Sequence, residues 1–139
     1  MLVSDLISNI SDALRGLDDD APTTGSSDHT YWLRVANRKL RELYTDVKQQ
    51  WSFATYVADV PTIPVLATDT DVIPISVPDW LTYAVAADIA FNDTTYEDKF
   101  SDLTGKANDL YLQMVTNNRR PTTQPRTISY SITPIAGVE

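Results

Sequence analysis

Two seams of apolar residues constrain this chain more than any other feature. Trp32, Ala36, Leu40, Leu43, Val47 and Trp51 recur at three- and four-residue steps, and Tyr96, Phe100, Leu103, Ala107, Leu110 and Met114 keep a strict four–three alternation. A helix that buries one side needs this period. The spacing predicts helices over 28–50 and 96–117. If the two seams pack together, Trp32, Leu40, Leu43, Val47, Phe100, Leu103, Leu110 and Met114 form the core. The last seam could also be read as an aromatic cofactor box, but a core seam explains it more simply.

Weaker signals fill in the rest. Leu6, Ile10, Leu14 and Leu17 predict a first helix over 5–16 that ends at Gly16. The turn-rich "LDDDAPTTGSSD" follows, with Asp28 as the expected cap of the next helix. Its three consecutive acids, Asp18 to Asp20, match no calcium-loop spacing and read as a solvated loop. Between Trp51 and Val77 the period changes. "WSFATYV" and "VIPISV" both alternate, around Pro61, Pro64 and "ATDTD", which predicts an irregular hairpin or two extended segments joined by a loop. Pro74 makes the second run an edge strand or one that lacks an inner ladder bond. Pro78 and Asp79 suit the start of a helix over 79–92, in which Ala84, Ala86, Ala87 and Ala90 make one face small enough for close approach.

The chain ends differently. Pro121, Pro125 and Pro134 bar helix from residue 118 onward, while Ile128, Tyr130 and Ile132 alternate with polar residues as a strand does. No partner strand lies nearby in sequence. Charge divides at the same place: residues 1–117 hold 18 acids and 8 bases, net −10, whereas 118–139 hold Arg119, Arg120 and Arg126 against Glu139, net +2. The expected organisation is a helical body over 1–117, with an extended loop at about 57–77, and a separate arm over 118–139. The fold class is mainly α: a small helical bundle with a β-like loop or hairpin insertion and an extended C-terminal arm.

Several functions find little support. No apolar run approaches the roughly 20 residues of a membrane span. "MLVSDLISNISDALRGL" lacks a basic leader and carries Asp5 and Asp12, so it does not read as a signal peptide. Cysteine is absent, which removes disulfides and thiolate metal sites and is compatible with a reducing cytoplasm. The single histidine, His29, reads as a capping or surface residue. Four glycines build neither common phosphate cradle, no Gly-x-Ser-x-Gly elbow occurs, and the carboxylates sit in polar surroundings. The expectation is a protein that is not an enzyme and needs no cofactor or metal. Arg34, Arg38, Lys39 and Arg41 form a basic helix face interrupted by Glu42 and Asp46, which suits solvent or a subunit contact better than DNA.

"NRKLRELYTDVKQQWSF", "IPISVPDWLTYAVAADIAF", "FSDLTGKANDLYLQM" and "RRPTTQPRTISYSITPI" come in an order that resembles the head-to-tail adaptor (connector, or head-completion) proteins of tailed bacteriophages. The likeness spans about residues 30 to 135 and lies in element order, not in a strict motif. It implies a helical bundle forming a ring, commonly about twelve-fold, between portal and tail, with genomic DNA passing through without specific binding. The family has no active site. Its C-terminal arm typically docks on the portal and its extended loop typically meets the next tail or neck component. Transferred here, Arg119, Arg120, Arg126, Ile128, Tyr130, Ile132 and Ile135 are the expected partner-binding residues. The expected location is the virion neck, assembled in the host bacterial cytoplasm, with no membrane involved. Two rival readings remain: a stopper or tail-completion protein of the same neck, and a small helical regulator binding nucleic acid through Arg34, Arg38, Lys39 and Arg41.

Overall fold

The computed structural model describes residues 1–16, 20–46, 48–74 and 76–118. Its elements in order are helix α1 (Val3–Arg15), helix α2 (Ser27–Tyr44), a hairpin of β1 (Tyr56–Val57) and β2 (Val60–Pro61), helix α3 (Pro78–Asn92), a 3₁₀ helix (Thr94–Lys99) and helix α4 (Phe100–Asn118). The protein is mainly α, as the seams predict.

Helix α3 is the centre. It buries Leu81, Thr82, Ala84, Val85, Ala86, Ala87, Ile89 and Ala90, so nearly its whole circumference faces protein. It packs against α1, α2 and α4, and its alanines let them approach closely. Helices α2 and α4 therefore meet mainly through α3, and Trp32, Leu40, Leu43, Leu103 and Met114 share one core cluster with it. Trp32, Leu40, Leu43, Leu103 and Met114 are buried, but Phe100 and Leu110 are only half-buried. Val47 lies outside the described residues.

Three boundaries also move for local reasons. Helix α1 starts at Val3 because its first N–H groups find acceptors without a side-chain cap: Val3 N–H donates to the Asp71 carbonyl (3.0 Å) and Ser4 N–H to the Asp69 carbonyl (3.1 Å). Ile73 N–H donates in turn to the Met1 carbonyl (2.8 Å), beside an antiparallel bridge between Leu2 and Val72. "VIPISV" thus pairs with the N-terminus, not with "WSFATYV". Helix α2 is capped by Ser26, whose Oγ accepts the His29 N–H (3.2 Å), and not by Asp28, which instead pairs with Arg15 (3.0 Å). It stops at Tyr44, short of Gln50. The Thr45 hydroxyl donates to the Arg41 carbonyl (2.6 Å), and the Asp46 carboxylate accepts the Lys48 N–H (3.0 Å) in a side-chain turn. The last helix begins at Phe100, preceded by a tighter 3₁₀ turn started by the Asp93 carboxylate accepting Thr95 N–H (3.0 Å).

Candidate functional site

The chain between α2 and α3 carries four exposed valines, Val57, Val60, Val65 and Val72, and its placement begins with Trp51. This side chain is fully buried. Its indole N–H donates to the Leu43 carbonyl (2.9 Å), one of the carbonyls left open by the early end of α2. Its ring stacks on Phe53 (centroids 5.4 Å apart, planes 16° apart) and meets Tyr111 of α4 edge-on (5.9 Å, 82°). The Trp51 N–H donates to the Tyr56 hydroxyl (2.9 Å), tying the base of the hairpin to the core. Tyr111 donates to the Asp46 carboxylate (2.8 Å), closing the cluster from the α4 side.

From this anchored base the hairpin turns through Ala58 and Asp59, both at positive φ (50° and 65°), the signature of a tight two-residue turn. Val57, Val60 and Val65 are then left 68%, 65% and 73% exposed. The chain returns to the core at Leu66, held by Asn37. The Asn37 Oδ1 accepts the Leu66 N–H (2.7 Å) while its Nδ2 donates to the Leu66 carbonyl (2.8 Å), so one side chain replaces a strand partner. Sequence reasoning missed Asn37. Its signal was a polar residue, a poor helix former, next to the buried Ala36. Asn37→Ala strands two backbone groups of a buried residue and should cost about 1–3 kcal/mol, read by chemical denaturation.

Farther along, Asp69 gathers three contacts. His29 Nε2 lies 2.9 Å from its Oδ1, the Thr24 hydroxyl bonds its Oδ2, and its backbone carbonyl accepts the Ser4 N–H. His29 is buried, so the expectation of a capping or surface side chain is corrected: it is a tether from α2 to the loop. The Thr24 hydroxyl and then the His29 ring hold the Asp69 carboxyl below its ordinary range, and the Thr68 and Ala67 N–H groups do the same for Asp71. A carboxyl depressed in the fold stabilises it above the unfolded pKa and loses that contribution as pH falls through the folded one. The melting temperature should therefore fall below about pH 4, and Asp69→Asn should flatten that fall.

Of the sequence-derived partner residues, Arg119, Arg120, Arg126, Ile128, Tyr130, Ile132 and Ile135 all lie outside the described residues. Their point of departure does not. The Asn118 carbonyl accepts the Ser52 N–H (2.6 Å), so the last described residue sits beside the segment that carries Trp51 and Phe53. The basic face of α2 is only partly available. Arg38 pairs with Asp88 and Glu42, and Lys39 with the same two acids. Arg34 and Arg41 carry no ion pair among the described residues.

Between α2, α3 and α4 lies a groove of about 480 Å³ over Ala84 and Ala87, walled by Trp80, Phe91 and Tyr111, with Lys39 and Asp88 at its rim. In the loop after α1, Asp18 and Asp19 are outside the described residues, while the Asp20 carbonyl accepts from Arg15 (3.2 Å). Among the described residues no group of His, Asp and Glu is arranged to hold a metal ion, and no helix is long and apolar enough to cross a membrane. No family model, curated protein or solved structure matches the chain.

Proposed function

We propose that this protein is a structural adaptor of a tailed-bacteriophage neck, forming a ring that joins the portal to the tail around the DNA channel. One observation carries the reading: a loop anchored by Trp51, Tyr56 and Asn37 holds Val57, Val60 and Val65 out in solvent. Apolar side chains displayed from a rigid base suit a protein partner, here the next tail or neck component.

The arm supplies the second attachment. Ile128, Tyr130 and Ile132 enter portal pockets from one side of an added strand, where backbone bonds give affinity and alternate side chains give selectivity. Arg119, Arg120 and Arg126 meet acids at the rim and speed encounter. Asn118 sits beside the segment that leads into the loop, yet the two partners lie at opposite ends of a neck ring. Length resolves this. The 21 residues after Asn118 reach at most about 70 Å, whereas α4 is about 28 Å long. An arm can therefore run back past the body.

A net charge of −10 over residues 1–117 suits a channel that lets DNA slide, because each phosphate neutralised adds affinity and friction. The test is imaging. Purified protein mixed with its portal and viewed in negative stain should show a closed annulus on the tail side of the portal. Portal particles left bare at saturating protein contradict the reading.

A further inference from the structure

We propose that copies of this chain associate head to tail, the outward face of α2 bearing Arg34 and Arg41 lying against the outward face of α4 bearing Asp102 and Asp109. The proposal rests on the ring reading for its setting, but its observations are separate.

Helices α2 and α4 both pack on α3, and each turns another side to solvent. On α2 that side carries Arg34, Arg38 and Arg41, all exposed. Arg38 is engaged by Asp88 and Glu42, while Arg34 and Arg41 have no ion pair among the described residues. They stand seven residues apart, two turns or about 10.5 Å along one face. On α4, Asp102 and Asp109 are also exposed, also without an ion pair among the described residues, and also seven residues apart. Two cations and two anions at the same pitch can meet pair to pair.

Shape agrees with charge. Gly105 sits between the two aspartates on the same face, and a Cβ there would meet nothing within 4 Å. A glycine inside a helix disfavours it relative to other residues, and no packing within this chain requires one here. It leaves room for another helix. Two turns farther along, one turn past Asp109, Leu112 is 64% exposed, a large apolar side chain held in water. The α2 face offers a hollow of about 410 Å³ lined by Leu33, Asn37 and the three arginine stems, which suits such a side chain. Lys106, the base nearest the aspartates on α4, is drawn away over the Tyr83 ring (4.9 Å). Because the two surfaces differ, the contact is heterologous. It propagates, and closes to a ring where the rotation allows.

The test uses the full chain and two double variants, Arg34→Glu/Arg41→Glu and Asp102→Lys/Asp109→Lys, in sedimentation velocity. The native chain should self-associate at low salt and disperse at high salt. Each variant alone should associate at least about tenfold more weakly, and an equimolar mixture should recover association, since each then presents the charge the other needs. Gly105→Leu should raise the melting temperature while weakening association. A native chain that stays monomeric at low salt overturns the proposal, as do reversal variants that associate like the native chain. A DNA shift abolished by Arg34→Glu/Arg41→Glu, without self-association, overturns it in favour of a phosphate-binding face. Portal-bound rings that persist in both variants overturn this interface and leave the adaptor reading intact. Charge-dependent self-association in a chain that ignores portal does the reverse.

Discussion

Trp51→Ala should cost about 3–5 kcal/mol of folding free energy, a large share of the roughly 5–15 kcal/mol that holds a domain together. The indole is fully buried, stacked on Phe53 and set edge-on to Tyr111, so its removal leaves a cavity lined by aromatic rings. It also orphans the Leu43 carbonyl that the indole N–H satisfies. Trp51→Phe separates these effects. It keeps most of the stack, loses the hydrogen bond, and should cost about 1–3 kcal/mol. Val57→Ser with Val60→Ser gives the contrast. Those side chains are already in water, and the pair should change stability by less than about 0.5 kcal/mol per site. If the loop is a partner surface, the valine pair abolishes tail-side binding in a fully folded protein. Denaturation curves and a pull-down on the same samples separate the two roles.

Trp51 also shows what the sequence conceals. It falls four residues after Val47, in phase with the α2 seam, so periodicity alone assigns it to that helix. The chain leaves the helix at Thr45 and Asp46, two residues whose side chains bond their own backbone neighbourhood, and Trp51 re-enters the core from a loop. A buried position was legible and its route was not. Helix α3 is the converse case. Its apolar residues encircle it, so it shows no stripe to follow, yet that lack of a polar side marks a central helix. The pairing of Val72 with Leu2 and of His29 with Asp69 joins residues far apart in sequence, and no local pattern announces such contacts. The exposed loop was visible as a loop from its prolines and its change of period. Its anchors, Asn37 and the Tyr56 hydroxyl, depend on three-dimensional reach.

Removing the arm should have the largest functional effect. A chain ending at Asn118 keeps the carbonyl that receives the Ser52 N–H and every buried residue described above. It should therefore stay helical and melt within a few degrees of the full chain. If the arm docks by strand addition as proposed, portal attachment should disappear, because its backbone hydrogen bonds would be lost and weak arms in a ring would gain their hold only from their number. Arg119→Ala/Arg120→Ala/Arg126→Ala should behave differently, attaching more slowly and with a shallower dependence on salt, since rim charges act mainly on encounter. The most direct measurement is co-sedimentation of full-length and Asn118-terminated protein with assembled portal, with circular dichroism on the same preparations. The account predicts equal helicity, full-length protein in the portal pellet and truncated protein in the supernatant. Truncated protein that pellets with the portal, or that has lost its helices, contradicts it.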